Sequence, residues 1–124
     1  MKKLKKIILV FLSVFSLLFI VLAMSPIPKA TSANCIEVMG KVEKIDEAGT
    51  NDVTFQLEND DAIYYINRGL EKGLTLEDLQ EELLNREISL HYVKHWSPLD
   101  PNNKTRHIAK LEIGEELIYN EMQK

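Results

Sequence analysis

Eighteen consecutive residues, Ile7 to Met24, carry no charge and are interrupted as polar positions only by Ser13 and Ser16. A run of that length has few fates. A helix that spans a bilayer needs about 17 to 25 apolar residues, whereas the apolar part of a cleaved export signal holds about 7 to 15. Lys2, Lys3, Lys5 and Lys6 precede the run, and lysines in that position resist translocation. Everything after Met24 is therefore expected outside the cytoplasm. Length argues for an anchor with its amino terminus inside. Pro26, Pro28 and the small residues Ala30-Thr31-Ser32-Ala33 argue instead for peptidase cleavage after Ala33 and a periplasmic or secreted product. A core helix of a soluble protein would leave the lysine cluster without a role.

The chain divides accordingly into residues 1–24, a signal peptide or transmembrane anchor, residues 25–34, a tether or cleavage region, and residues 35–124, a single domain. Five of the fifteen Lys and Arg residues precede Cys35 and none of the nineteen acids does. The domain therefore holds ten bases against nineteen acids, a formal charge of −9. Such a field repels nucleic-acid backbones. Cys35 is the only cysteine, which excludes an internal disulfide. Lipoprotein signals place a Leu three positions before the modified Cys and a small residue just before it. Ser32 and Asn34 stand there, and Cys35 reads as a small apolar residue entering the first strand.

Within the domain the pattern alternates. Ile36, Val38, Gly40 and Val42 share one parity, and Ile45 breaks it, which predicts a long first strand with a bend or bulge near Gly40. Residues 46–52 form a turn by composition. Val53, Phe55 and Leu57 make a second strand, Asn59-Asp60-Asp61 a turn, and Ala62 to Asn67 a third strand. The period then changes. Thr75 is placed to cap a helix with Asp78 in a capping-box arrangement, and Leu76, Leu79, Leu83 and Leu84 lie on one face of a helix ending near Asn85. Ile88, Leu90 and Tyr92 resume alternation in a fourth strand. A loop over residues 97–104 leads to a fifth, in which Ala109, Leu111 and Ile113 share a face, and Gly114 turns the chain into a short apolar tail, Leu117-Ile118-Tyr119.

The order strand, strand, strand, helix, strand, strand, mainly β with one helix, resembles the OB-fold, a five-stranded Greek-key barrel. The resemblance is one of architecture, since this fold carries no diagnostic motif. It implies a ligand face on strands two and three with the loops after strands one and four. Here that face comprises the 46–52 turn, Tyr64 or Tyr65 with Asn67 and Arg68, and the loop from Trp96 to Arg106 with Asn102 and Lys104. Trp96, the only tryptophan, stands beside hydrogen-bonding groups, a pairing suited to stacking on a sugar or anchoring a peptide.

An exported, tethered OB-fold domain also resembles the haem chaperone of cytochrome c maturation, which binds haem through a His followed four positions on by a Tyr. His91 is followed at that spacing by His95 and His107 by Leu111, so haem binding does not carry over. His91 and His95 lie about 13 Å apart along a strand rising about 3.3 Å per residue, too far to share one ion, and the histidines are expected to be solvated on the outer face. No nucleophile motif or carboxylate pair is evident.

The resulting expectation is an extracytoplasmic, non-enzymatic binding module without cofactor, for a protein, peptide or envelope polysaccharide, and in contact with the membrane through its first segment if that is uncleaved. A small metal or haem carrier using His91, His95 or His107 is one alternative. An OB-fold for single-stranded nucleic acid is another, opposed by charge and export.

Overall fold

The computed structural model describes residues 1–122. Helix α1, Lys2–Ala23, buries none of its side chains. Its 22 residues extend about 33 Å at 1.5 Å per residue. With a mean hydropathy of 2.8 over its most apolar 18 residues, it is long and apolar enough to cross a membrane or to act as a signal sequence.

Six strands follow: β1 Cys35–Ala48, β2 Asp52–Leu57, β3 Ile63–Ile66, β4 Glu87–Val93, β5 Thr105–Ile113 and β6 Glu116–Asn120. A 3-10 turn, Gly69–Glu71, and helix α2, Leu76–Leu83, separate β3 from β4. The strand order is β3-β2-β1-β4-β5-β6, and β3 also pairs with β5, so the sheet closes on itself. All neighbours are antiparallel except the short β3–β5 seam, where Ile63, Tyr64 and Tyr65 run parallel to Thr105, Arg106 and His107.

Strand β1 serves two neighbours in succession. Cys35 to Lys41 pair with β4, and Val42 to Ala48 pair with β2. Between Val42 and Lys44 the register slips by one residue, leaving Glu43 as the extra residue of a bulge. Because a bulge resets the two-residue period, Val42 and Ile45 both point inward despite opposite parity. This is the physical cause of the broken alternation in the sequence. Gly40 lies just before the hand-over, where a Cβ would stand 3.0 Å from Leu57 Cδ1. Gly40→Val is therefore expected to destabilise the fold by about 1 kcal/mol, at the low end for overpacking because the group met is the mobile end of a side chain. Urea denaturation of the two proteins checks it.

The core gathers the inward residues of every strand except β6 with Leu79 and Leu83 of α2, while Leu70, Leu74, Leu76 and Leu84 pack against it from the same end. Thr75 caps α2, its hydroxyl accepting from the Asp78 N–H at 3.3 Å, and Gln80 Nε2 donates to the Ile45 carbonyl at 2.8 Å. Strand β3 runs towards α2 and β4 runs away from it, so the loop between β4 and β5 lies at the opposite end of the ring. There Arg106 sits over the rings of Tyr92 (4.7 Å to the centroid) and Tyr64 (5.5 Å), and its Nη1 donates to the Tyr64 hydroxyl at 2.8 Å. Cation–π contact of this kind holds a charged side chain against an apolar end.

Three features depart from the sequence expectation. The tail after Gly114 is a sixth strand, paired antiparallel to β5. Ala109 does not share a face with Leu111 and Ile113. A register slip opposite His91 and Tyr92 turns Ile108 inward and leaves Ala109 in a second cluster with Val93 and Ala30. The stretch over residues 25–34, finally, makes contact with the domain. Ala30 is buried in that second cluster, and Asn34 closes a turn in which its Oδ1 accepts from Thr31 N–H (2.8 Å) and its Nδ2 donates to the Lys29 carbonyl (2.7 Å). Cys35 packs half-buried against the same cluster, and burial pushes its thiol up from 9.0.

Candidate ligand groove along the β3–β5 seam

The outward positions of β3 and β5 at the seam are Tyr65 and His107, directly paired in register. Their rings meet edge-on, 5.3 Å between centroids. Two concavities share these two residues and Ile27. One, of about 430 Å³, runs past Asn67 and Glu121 under Pro28, Lys29 and Ala30. The other, of about 220 Å³, runs past Thr105 and Val93 to His95, Ser97, Asp100 and Asn103. Together they form one groove along the seam, floored by Tyr65 and His107 and roofed in part by the segment that joins α1 to the domain.

His107 is held from behind. Its Nε2 bonds to Glu121 Oε1, and the other carboxylate oxygen accepts from the Tyr119 hydroxyl at 2.8 Å. Lys72 Nζ in turn donates to the Tyr119 oxygen at 3.0 Å and lies 3.8 Å from Glu121 Oε2. Burial alone would raise the Glu121 carboxyl above 4.5. The bonds from His107 and Tyr119 and the charges of His107 and Lys72 more than offset it, so Glu121 is shifted down and stays ionised. Burial, then the bond to Glu121, raises the Tyr119 hydroxyl well above its usual range. Tyr65 is raised from 10.0 as well, by burial and then by the charges of Asp52 and Glu121, so at neutral pH it offers a hydroxyl donor. The His107 side chain is only 13% exposed, and its Nδ1 is buried without a hydrogen-bond partner. A buried polar atom of that kind calls for a reason.

Apart from Tyr65 in the groove floor, the residues singled out from the sequence separate into three groups. Tyr64 is fully buried, its hydroxyl donating to Asp60 Oδ2 at 2.6 Å, and the partly exposed Arg106 belongs with it; both hold the end of the core. Parity decides this, since Tyr64 and Tyr65 are consecutive in a strand and point to opposite faces. Asn67 and Arg68 lie at the α2 end, next to the β1–β2 turn: Arg68 N–H donates to Asp52 Oδ1 at 2.7 Å, and Leu70 N–H to the Asn51 carbonyl at 3.1 Å. Trp96, Asn102 and Lys104 lie at the other end, all exposed. Asp100 organises that loop, its two oxygens accepting from the N–H groups of Lys104 (3.0 Å) and Thr105 (2.9 Å). The two loops assigned to one surface thus stand at opposite ends of the ring, and the Tyr65–His107 groove runs between them.

The histidines are not all solvated. His91 is 24% exposed beside Glu37 at 3.9 Å, with its Nδ1 also buried and unpartnered, and His107 is held as described. The outer face is covered here because Val93 and Ala109 carry Ala30 against them. His95 and His107 line the same concavity. Among the described residues no three of His, Cys, Asp and Glu come together in a group that would hold a metal ion. Glu121 carries no sequence signal; Tyr119 reads only as the end of a short apolar tail and Asn103 only as a member of the loop before β5, and neither reading points to the groove.

No family model matches the sequence, and no curated protein aligns with it closely enough to indicate common descent.

Proposed function

We propose that this chain is a membrane-tethered, extracytoplasmic binding module with an OB-like barrel, and that it holds an uncharged polysaccharide of the cell envelope in the β3–β5 groove. The ring order, the parallel closure of β3 on β5, the helix between β3 and β4 and the long bent β1 support the OB-like reading. The groove itself carries the functional one. An aromatic floor flanked by the hydroxyls of Ser97 and Thr105, the amides of Asn67 and Asn103, the His95 imidazole and the carboxylates of Glu121 and Asp100 suits a ligand rich in hydroxyl groups with apolar ring faces. Glu121 beside the floor and the domain's charge of −9 disfavour polyanions, which sets single-stranded nucleic acid aside. The reading is of a binder, in which the Glu121 carboxylate fixes the orientation of His107 and accepts from Tyr119.

Tyr65→Ala is expected to weaken binding of soluble envelope oligosaccharides about tenfold, or ~1.4 kcal/mol, while leaving the circular dichroism spectrum unchanged. Isothermal titration calorimetry on the two proteins reads it. Equal affinities would reject the groove as the binding site.

A further inference from the structure

The loop between β4 and β5 presents its apolar groups to solvent, with Trp96 56% and Leu99 70% exposed. Neither is needed to fold the loop, whose backbone is held by Asp100 and by the Ser97 hydroxyl. Large apolar side chains left out on a small domain mark a contact surface. The chain connection says what they meet.

The hydrogen-bond ladder of α1 continues through Ser25, whose N–H donates to the Leu22 carbonyl and whose hydroxyl donates to the Val21 carbonyl. Ala30 is already packed on Val93 and Ala109 of the domain. The four residues between make five Cα-to-Cα steps, which bridge at most about 18 Å even when fully extended. Val93 is the last residue of β4, so the start of the loop that follows it is held close to the end of α1. Ile27, two residues past Ser25, lines the same concavity as Ser97 and Asn103. With α1 in a bilayer, the loop end of the ring faces the membrane and the α2 end faces away.

The composition of this end fits the headgroup layer, which is about 5 to 7 Å deep on each side of the hydrocarbon. Tryptophan concentrates at that depth because its ring is apolar and its N–H polar. The loop carries Lys94 and Lys104, with Lys29 on the connecting segment, and its one acid, Asp100, is turned onto backbone N–H groups. Against a domain of charge −9 this is the end least repelled by anionic lipid. We propose that Trp96 and Leu99 insert into the headgroup layer of the membrane that α1 enters and seat the domain on the bilayer. This rests on α1 remaining in the membrane and is independent of what the groove binds.

Because Trp96 is the only tryptophan, its fluorescence reports this contact alone. The full chain is reconstituted into vesicles of phosphatidylcholine with phosphatidylglycerol, recovered by flotation, and compared with the same preparation made with brominated lipids. The expected result is an emission maximum shifted to shorter wavelength and a loss of intensity that is largest with bromines nearest the headgroup. Leu99→Asp, a change at an exposed position that circular dichroism shows to be folded or not, should reduce both. A floating chain whose Trp96 emits as in water and is unquenched overturns the docking while leaving the anchor standing. A chain that does not float overturns both. Oligosaccharide binding by the groove is untouched by either outcome.

Discussion

Tyr64→Ala is expected to cost about 3–5 kcal/mol of stability, the range for truncating a large aromatic in a core. A small domain holds about 5–15 kcal/mol in all, so the variant should melt at much lower urea concentration or be largely unfolded. The reason lies in the hub that the ring completes. Tyr64 packs tilted against Tyr92 at 5.8 Å, carries Arg106 over its face, and bonds through its hydroxyl to Asp60 and Arg106. Truncation leaves a cavity and a guanidinium with one partner fewer. Tyr64→Phe keeps the ring and should lose only about 1–2 kcal/mol, from the two charged groups deprived of the hydroxyl. Burial and the bond to Asp60 push the Tyr64 hydroxyl up to about 12, against the lowering effect of Arg106. Above its ordinary value of 10.0 the unfolded chain releases this proton first, so alkaline pH destabilises the wild type through Tyr64, and the Phe variant should lack that component.

Glu121→Ala is expected to lower stability by about 2–3 kcal/mol, because it removes the acceptor of two hydrogen bonds, one of them charge-assisted, and takes the Nε2 partner from a His107 whose buried Nδ1 already has none. Its pH dependence has a definite sign. Folded Glu121 is shifted below 4.5, held there by His107, Tyr119 and Lys72 against the opposing effect of burial. The folded state therefore gives up the proton more readily than the unfolded chain. The stabilisation is present above pH 4.5 and is lost as pH falls through the lower folded value. Glu121→Gln should show a shallower acid limb in thermal melts across that window. An identical limb in both proteins would mean that the clasp on His107 contributes nothing in solution. Because the Glu121 N–H donates to the Ala109 carbonyl at 2.8 Å, the same residue ties the chain beyond β6 to β5, and loosening it should expose the Tyr65 end of the groove.

Much of the molecule is legible in one dimension because its cause is local. The apolar run from Ile7 to Met24 makes α1 whatever follows it, since the backbone groups of an apolar segment are satisfied within the helix itself. Alternation over Val53 to Leu57 and Ile88 to Tyr92, the Thr75 cap and the leucines of α2 likewise follow from periods of 2 and 3.6 residues. The broken parity at Ile45 was visible as well, and the bulge at Glu43 is its cause.

What only the folded chain decides arises where distant segments meet. Closure of the ring sets Tyr65 beside His107, forty-two positions away, and no local pattern encodes that register. The slip opposite His91 turns Ala109 outward, and Ala30 covers it from the connecting segment, so a stretch that reads as free tether becomes part of the domain. Tyr64 and Tyr65 are chemically alike in the sequence. The sheet buries one under Arg106 and sets the other on the groove floor, because side-chain direction in a strand is assigned by which face the rest of the chain chooses to cover.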